Sequence, residues 1–530
     1  MADLTSEITK RRTFAIISHP DAGKTTLTEK FLLYGGAINL AGSVKGKKTA
    51  KHAVSDWMEI EKQRGISVTS SVLQFNYDGY CINILDTPGH EDFSEDTYRT
   101  LMAADSAVMV IDASKGVEKQ TIKLFKVCVL RHIPIFTFIN KMDREANDPF
   151  ELLDEIENVL GIRTCPMNWP IGSGKEFKGA YDRTDREVSL FTAAMNGQKE
   201  VATERLGIDD AALADELGSH FYEKLQEDIE LLDGASSEFN LDEVRAGDLT
   251  PVFFGSALTN FGVENFLQHF LKMTTAPLAR HSSIGDVDPF SGDFSAFVFK
   301  IQANMNKMHR DRIAFMRICS GKFEAGMEVT HVQGGRKIKL AQPQQMMAQE
   351  RHIVDEAYAG DIIGVFDPGI FSIGDTLTTS NEKFTFDGIP TFAPEHFARV
   401  RQIDTMKRKQ FVKGISQIAQ EGAIQIFQEF NTGMEEIIVG VVGVLQFDVL
   451  KFRLENEYNV DIRLEPLPYE HIRWIENPEE VDVEHLSGTS DMKKIKDLKD
   501  NPLLLFVNSW SVGMVLERNE GLKLSEFGKN

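Results

Sequence analysis

Short, mostly apolar runs recur along the first half of the chain, with helix-like segments between them. The runs lie at residues 13–17, 81–85, 107–111 and 133–139 and near 251–254. Runs of this length without polar alternation are typical of parallel strands that are buried on both faces. Together with predicted helices between them, such as 27–33 and 117–131, they predict an open α/β sheet.

The pattern changes twice in the second half. From residue 294 to about 380, short apolar segments alternate with glycine-containing turns, which predicts a small β-barrel. Apolar positions from Ile415 to Phe427 recur at helical spacing, and residues 437–442, 445–456 and 460–464 predict strand, helix and strand, as in a small α+β sandwich. The predicted domains are 1–280 with an insert at about 144–250, the barrel at 290–390 and a C-terminal domain at 391–530, with a linker at 281–293.

The stretch after the first predicted strand carries residues that bind phosphate. It reads Ser-His-Pro-Asp-Ala-Gly-Lys-Thr-Thr at residues 18–26. Unpaired N–H groups and the dipole of a helix N-terminus attract anions, and Gly23 allows a close approach. Lys24 is predicted to reach the β- and γ-phosphates, and Thr25 to bind Mg²⁺. Ser18 stands where the P-loop pattern has Gly, so the loop alone is an incomplete match. The predicted contacts are Ser18, His19, Pro20, Asp21, Ala22, Gly23, Lys24 and Thr25.

The second apolar run ends in Asp86, Thr87, Pro88, Gly89 and His90. A carboxylate at the end of a buried strand supports Mg²⁺ in P-loop enzymes, so Asp86 is predicted to do so through a water. Gly89 has no side chain to keep its N–H from a γ-phosphate. His90 is predicted to position the attacking water, because His is the commonest general acid–base residue. The alternative for His90 is a polar surface or capping residue.

A segment of weak periodicity, residues 35–54, leads into Arg64-Gly65-Ile66-Ser67. A hydroxyl after a mobile loop can complete the Mg²⁺ ligands, and Ser67 is the candidate. The alternative is an ordinary strand start, which periodicity does not exclude.

Base recognition is predicted at residues 140–143, which read Asn-Lys-Met-Asp. The Asp143 carboxylate can accept hydrogen bonds from guanine N1 and N2, a donor pair that adenine lacks, so it favours GTP over ATP. Lys141 can lay its aliphatic stem on the base, and Asn140 can connect this loop to the P-loop. A backbone N–H near Ser256 is predicted to reach guanine O6. The predicted residues here are Asn140, Lys141, Met142, Asp143, Ser256 and Ala257.

These four loops, each at the end of a predicted strand, resemble the motif set of the GTPases. Arg64-Gly65-Ile66 and the His after Asp-Thr-Pro-Gly are similar to translation-factor GTPases. The 113 positions between Asp143 and Ser256 are similar to the extra subdomain of elongation factor G and peptide chain release factor 3. The loop at 18–26, Gln-Arg-Gly-Ile-Ser at 63–67 and the length of 530 residues resemble the peptide chain release factor 3 family most closely.

That resemblance implies a ribosome-stimulated GTPase that uses GTP and Mg²⁺ and ejects class I release factors. The implied partners are the ribosome, its RNA and proteins, and those factors, without membrane or DNA. Pro20 and Ile66 lie where the family has an apolar gate beside the catalytic His, and Pro20 departs from the commoner Val. The chain has no Gly-Gly-Gln and is shorter than elongation factor G, which favours action on another factor. The alternatives are a translocating ribosomal GTPase, a non-ribosomal GTP switch and a P-loop ATPase or kinase, the last opposed by residues 140–143.

The amino-acid composition restricts the possible partners and the expected compartment. The net charge of −22 argues against indiscriminate coating of nucleic acid, but it leaves room for local basic patches. The four cysteines match no metal spacing and are expected to be reduced. No apolar run approaches the ~18 residues of a membrane span, and no signal-peptide layout is present, so the expected compartment is cytosolic. The candidate patches are Lys45, Lys47, Lys48 and Lys51; Lys300, Lys307, Arg310 and Arg312; and Lys407, Arg408, Lys409 and Lys413.

Overall fold

The computed structural model describes residues 3–37, 70–88, 90, 92, 94–191, 203–303, 312–340, 343–347, 350–389, 393–430 and 437–526. Along the chain these residues form an α/β body, an antiparallel β body and a mixed α+β body. This order confirms the predicted fold class.

The first body contains the predicted parallel sheet. Its helices are α1 (Leu4–Thr9), α2 (Lys24–Tyr34), α3 (Ser94–Leu101), α4 (Lys119–Leu130), α5 (Pro149–Leu160), α6 (Ala211–Leu217), α7 (Ser219–Ala235), α8 (Leu241–Ala246) and α9 (Val263–Met273). Its strands are β1 (Arg11–Ser18), β2 (Ser71–Tyr77), β3 (Tyr80–Asp86), β4 (Ser106–Asp112), β5 (Ile135–Asn140), β6 (Arg163–Pro166), β7 (Asn168–Ile171), β8 (Gly179–Asp182), β9 (Glu187–Phe191), β10 (Thr203–Gly207) and β11 (Leu249–Phe254).

Seven of the described strands make the central sheet, in the order β2-β3-β1-β4-β5-β11-β6. Neighbours are parallel except β2 and β3. Helices α2 and α9 cover one face and α4 and α5 cover the other, which is why these strands are apolar throughout. The register sets Ile16 beside Asp86 and Asp112 beside Asn140. The residues that end the strands therefore line one edge of the sheet.

The long segment between Asp143 and Ser256 forms a subdomain against the end of this sheet. Its strands make an antiparallel sheet in the order β10-β9-β8-β7. Asn168 of β7 donates to the backbone carbonyl of Phe254 at 3.0 Å and accepts from its N–H at 2.7 Å. The insert is thus fastened to the end of β11, next to the loop that carries Ser256.

The second body is an antiparallel sheet around one apolar core, as the predicted barrel requires. A hairpin of β12 and β13 precedes it, within the segment predicted as a linker, and Ser282 bridges to Phe386. That linker is therefore structured in part. The strands are β12 (Arg280–Ser282), β13 (Gly285–Val287), β14 (Ser295–Ala303), β15 (Arg312–Ser320), β16 (Lys322–Glu324), β17 (Glu328–His331), β18 (Arg336–Lys339), β19 (Gln344–Met347), β20 (Glu350–Ile353), β21 (Glu356–Tyr358), β22 (Ile362–Phe366) and β23 (Thr376–Thr378).

The third body is one antiparallel sheet in the order β27-β24-β26-β25-β29-β30-β28-β31. Helices α10 and α11 pack together over one of its faces. The elements are β24 (His396–Gln402), α10 (Arg408–Gln420), β25 (Gln425–Glu429), β26 (Ile437–Val441), α11 (Leu445–Tyr458), β27 (Ile462–Leu467), β28 (His471–Ile475), β29 (Met492–Lys496), β30 (Pro502–Phe506), α12 (Ser509–Arg518) and β31 (Leu524–Ser525).

The predicted helical face from Ile415 to Phe427 is wrong at its end. Helix α10 stops at Gln420, and Gly422 adopts a φ of 75°, a conformation that ends helices. Ile426 and Phe427 lie on β25, where Ile426 joins the core under the helices and Phe427 the core on the opposite face. When both faces of a sheet are covered, a strand carries adjacent apolar residues. Such residues are compatible with a helix as well as with a strand, so the spacing alone does not separate the two.

Buried ion pairs join the first and second bodies. Arg11 Nε lies 2.7 Å from Asp361 Oδ2, and Arg317 Nη2 lies 2.5 Å from Asp105 Oδ2. Asn83 also donates to Asp361, at 3.3 Å. Burial works to lower the pKa of Arg11, but the charge of Asp361 raises it above its usual value. The contact between the first and second bodies therefore depends on ion pairs whose two members come from different bodies.

Two members of a predicted basic patch take part in such pairs instead of forming a surface. Lys300 Nζ lies 3.7 Å from Asp96 Oδ2, and Arg312 Nε lies 2.6 Å from Asp367 Oδ2. Both cations are buried. The start of α10 presents Arg408, Lys409 and Lys413 as exposed side chains and Lys407 as a half-buried one. Lys45, Lys47, Lys48, Lys51, Lys307 and Arg310 lie outside the described residues.

The cysteines carry free thiols, and burial raises the pKa of Cys128 to about 12. Within the described ranges, no helix combines the length and the apolar character that a membrane span needs.

Replacing Asp361 by Ala is expected to lower the free energy of unfolding by about 3–5 kcal/mol, because the buried Arg11 would keep only Glu7 as a charged partner and the buried Tyr358 N–H would lose its acceptor. Chemical denaturation followed by circular dichroism measures this loss. Asp286→Ala is the control: Asp286 pairs with His281, both side chains are at least 65% exposed, and the expected change is below about 1 kcal/mol. Equal losses in the two variants would contradict the assignment.

Candidate functional site

The loop between β1 and α2 is tightly folded at the edge of the sheet. The Ala22 N–H donates to the His19 carbonyl at 3.3 Å, and Gly23 adopts a φ of 101°, which favours glycine. A Cβ at Gly23 would lie 2.2 Å from Asn140 Nδ2, so the position excludes a side chain. Helix α2 begins at Lys24, and its first N–H groups lack intrahelical partners, which suits an anion.

A buried ion pair connects this loop to the end of β3. Lys24 Nζ lies 2.5 Å from Asp86 Oδ1, and both side chains are almost fully buried. Each charge compensates the other, since an unpaired charge at this depth costs several kcal/mol. The Thr87 hydroxyl donates to the Ile16 carbonyl at 2.8 Å and so fixes the end of β3 beside β1. Thr25 is half-buried in the first turn of α2.

Other residues predicted in the P-loop have distinct surroundings. Ser18 is buried at the end of β1, and its Oγ has no hydrogen-bond partner among the described residues. A buried hydroxyl in that condition suits an incoming ligand atom. His19 Nε2 lies 3.3 Å from Glu118 Oε1, and Pro20 is half-buried.

The side chain of Asn140 joins three loops. Its Nδ2 donates to the Ala22 carbonyl at 2.8 Å, and its Oδ1 accepts from the Ala257 N–H at 2.8 Å. Asn140 is buried, so water does not compete for these bonds. The P-loop, the 140–143 loop and the loop after β11 are thereby held as one unit. Met142, also buried, donates its N–H to the Gly255 carbonyl at 3.1 Å.

Lys141 lies across the outside of the P-loop. Its Nζ donates to the Asp21 carbonyl at 2.5 Å and to Asp112 Oδ2 at 2.6 Å. Burial works to raise the pKa of Asp112, but the hydrogen bonds from Lys141 and Ser114 hold it below its usual value. A charged Asp112 therefore keeps the aliphatic stem of Lys141 extended. Sequence reasoning missed Asp112, although it ends an apolar strand as Asp86 does.

Ser256 has a second contribution that sequence reasoning missed. Its hydroxyl donates to Asp143 Oδ1 at 2.6 Å, which fixes the orientation of that carboxylate. The predicted contact of a backbone N–H with guanine O6 meets competition. The Ser256 N–H donates to the Phe261 carbonyl at 3.0 Å, and the Ala257 N–H is bonded to Asn140. A contact from Ala257 to a base would have to be shared with Asn140.

His90 lies just beyond β3, in the segment that leads to α3. Its Nδ1 accepts from the Asp92 N–H at 3.2 Å, and its side chain is 35% exposed. The buried Pro88 accepts at its carbonyl from the Thr97 hydroxyl of α3 at 3.3 Å. Gly89, Ser67 and Arg64-Gly65-Ile66 lie outside the described residues, so their roles stay predictions.

Family models match the chain in three consecutive segments. The Elongation factor Tu GTP binding domain matches residues 9–276, Elongation factor G domain 2 matches 293–380, and the C-terminal domain of Class II release factor RF3 matches 386–516. Peptide chain release factor 3 of Symbiobacterium thermophilum is 60% identical over 522 residues, which are 98% of each chain. The chain belongs to the peptide chain release factor 3 family.

Further relatives agree with this membership. Peptide chain release factor 3 of Listeria monocytogenes is 53% identical over 99% of each chain. That of Synechococcus elongatus is 52% identical over 98% of this chain and 94% of its own. A crystal structure from Thermus thermophilus shares the fold, with a TM-score of 0.69, 20% identity and coverage of 92% of this chain and 72% of that one. The predicted family resemblance is confirmed, and the chain is a GTPase of translation termination.

Asp143→Asn is expected to shift the preferred base from guanine to xanthine, because the amide can donate where the carboxylate accepted from guanine. Competition between GTP and xanthosine triphosphate for the purified protein measures the shift, which can reach ~10²-fold or more. Ser256→Ala is the matched control: it removes the hydroxyl that orients Asp143, so GTP binding weakens without a gain for xanthine. Unchanged GTP selectivity in Asp143→Asn would refute the assignment.

Proposed function

We propose that this chain works in the cytoplasm on ribosomes, where GTP binding and hydrolysis dissociate class I release factors after peptide release. It does not cleave peptidyl-tRNA itself, in keeping with a sequence without Gly-Gly-Gln. Membership in a release factor family supports the setting. The observation that carries the use of GTP is the Asn140 bridge, which fastens the predicted phosphate loop to the predicted base loops.

The described residues fit a magnesium-bound triphosphate. Lys24 can exchange Asp86 for the β- and γ-phosphates, and the freed Asp86 carboxylate with the Thr25 hydroxyl offers the oxygen ligands that Mg²⁺ prefers. Asp86 would act through a water, and Ser67 is proposed as a further ligand. Mg²⁺ supplies neutralisation of the charge that develops on the phosphates. The buried, unpartnered hydroxyl of Ser18 supports a ligand in this loop.

On the base side, Asp143 accepts from guanine N1 and N2 in the orientation that Ser256 sets. Lys141 covers one face of the base with its stem, because Asp112 and the Asp21 carbonyl hold its ammonium group beyond the ring. The arrangement rejects adenine, because the adenine edge lacks the pair of N–H donors that guanine N1 and N2 offer to the Asp143 carboxylate.

His90 is proposed to position the attacking water. Because Nδ1 accepts the Asp92 N–H, the neutral ring carries its proton on Nε2 and can donate it to a water. Intrinsic hydrolysis is then slow, and the ribosome accelerates it by an amount comparable to the ~10⁵-fold effect of partners on Ras-type GTPases. We further propose that hydrolysis releases the loop around Ser67. The three domains, whose boundaries we place near residues 280 and 390, can then rearrange relative to one another.

His90→Ala is expected to keep GTP and GDP affinity and to lose ribosome-stimulated turnover, because only the water-positioning group is removed. Phosphate release with and without ribosomes measures the turnover. The control is His485→Ala in the third body, where the side chain is 80% exposed. Full stimulation in His90→Ala would show that the imidazole has another role.

The recycling task is tested with termination complexes in excess over a class I release factor. Addition of this protein and GTP is expected to turn one round of peptide release into many rounds, because each factor is ejected and reused. Movement of the mRNA instead would favour a translocating GTPase. Failure to cosediment with ribosomes in a non-hydrolysable GTP analogue would favour a non-ribosomal switch.

A further inference from the structure

Asp92 belongs to the first body, but its carboxylate is bonded to the third. Asp92 Oδ2 accepts from the Leu445 N–H at 2.8 Å. Leu445 is the first residue of α11, where N–H groups have no intrahelical partner and the helix dipole favours negative charge. Asp92 therefore serves as an N-terminal cap for a helix that lies 353 positions further along the chain.

Gly443 makes this approach possible. A Cβ at Gly443 would lie 2.2 Å from Asp92 Cγ and 2.4 Å from its Cα. The loop around Gly443 is fixed on its own side, because Gln446 Oε1 accepts from the Val442 N–H at 2.9 Å and from the Gly443 N–H at 3.1 Å. The contact thus joins Asp92 to a loop whose shape is already set.

A second contact joins α3, the helix that follows Asp92, to the third body. Arg99 of α3 donates from Nη2 to the Gly422 carbonyl at 2.8 Å. A Cβ at Gly422 would lie 1.3 Å from Arg99 Nη1, so a side chain here would displace the guanidinium from this position, and the φ of 75° also favours glycine. The segment after His90 is therefore held by the third body at two places.

The same Asp92 also contacts His90. Its backbone N–H donates to His90 Nδ1 at 3.2 Å, and its Oδ1 lies 3.5 Å from that nitrogen. Asp92 thus holds the imidazole with its backbone while Leu445 holds Asp92 by its carboxylate. These contacts form a continuous path from the third body to the imidazole ring.

We propose that Asp92 is a positioning residue that makes the placement of His90 depend on the third body. The inference rests on the proposed role of His90 in hydrolysis. A misplacement of about 1 Å at a reacting centre costs on the order of 10²-fold in rate, so small movements of the third body suffice to change turnover. Contacts that the ribosome or a release factor makes with the third body can in this way reach the hydrolysis step.

Gly443→Ala tests the proposal without touching the nucleotide loops. Single-turnover GTP hydrolysis on ribosomes, at saturating protein, is expected to fall by about 10- to 100-fold, while GTP and GDP affinities stay at the parent's values. Gly513→Ala in α12 is the matched control, because nothing lies within 4 Å of the added Cβ. It is expected to keep the parent's rate.

Two substitutions of Asp92 separate positioning from general damage. Asp92→Ala removes the acceptor for Leu445 and is expected to behave like Gly443→Ala. Asp92→Asn keeps a side-chain oxygen for the Leu445 N–H and is expected to restore most of the rate. A merely structural role would lower nucleotide affinity and the unfolding midpoint together with the rate, and that result would overturn the proposal.

Three further outcomes of these experiments would each overturn the proposal in a distinguishable way. Parent-like rates in Gly443→Ala and Asp92→Ala, with loss of stimulation in His90→Ala, would overturn the coupling and leave the role of His90 intact. A faster rate in Gly443→Ala would show that the contact restrains the imidazole, and would overturn positioning. Full stimulation in His90→Ala would remove the proposed water-positioning step, and this inference with it.

Discussion

The proposed nucleotide site depends on one buried amide, that of Asn140, which donates one hydrogen bond and accepts another. The loops that Asn140 joins begin at the ends of different strands, and the sheet alone fixes only where each loop starts. Nδ2 and Oδ1 of Asn140 set the distance between the Ala22 carbonyl and the Ala257 N–H. Loss of the amide would leave both backbone groups buried and unpaired, at about 1–3 kcal/mol each. Gly23 is the matching constraint, since any side chain there would displace Asn140.

The contacts between the three bodies depend on buried cations that are closely paired. The chain is strongly acidic, yet cations buried at the contacts between bodies each have a carboxylate or a carbonyl to bond. Arg317 bonds both Asp105 and the Gly360 carbonyl, and Lys300 of the second body bonds the Ser70 carbonyl and lies 3.7 Å from Asp96 of the first. Breaking one such pair leaves an uncompensated charge, which costs several kcal/mol. The bodies are therefore expected to change between discrete arrangements rather than to slide.

Sequence reasoning located five of the seven strands of the central sheet and the residues at their ends, because buried parallel strands leave continuous apolar runs and their carboxyl ends meet at one edge. It did not find the tethers that orient the site. The bonds from Lys141 to Asp112 and from Ser256 to Asp143 join residues that no periodicity relates. Lys300 was assigned to a surface patch because a lysine carries no mark of burial until its partner is known.

The contact of Asp92 with Leu445 could not be predicted from the sequence either, because no sequence pattern relates the two residues. The free energy of this hydrogen bond limits how far it can change the rate of hydrolysis. A hydrogen bond to a charged group contributes about 1.5–3 kcal/mol, which is roughly one to two orders of magnitude in an equilibrium or a rate. Stimulation of the Ras type needs roughly 7 kcal/mol. The cap on α11 can therefore decide whether the imidazole is placed, but it cannot supply the whole acceleration. If the proposed roles of the ribosome and His90 hold, groups outside this chain must stabilise the transition state directly, and the contact with the third body contributes only the placement of the imidazole.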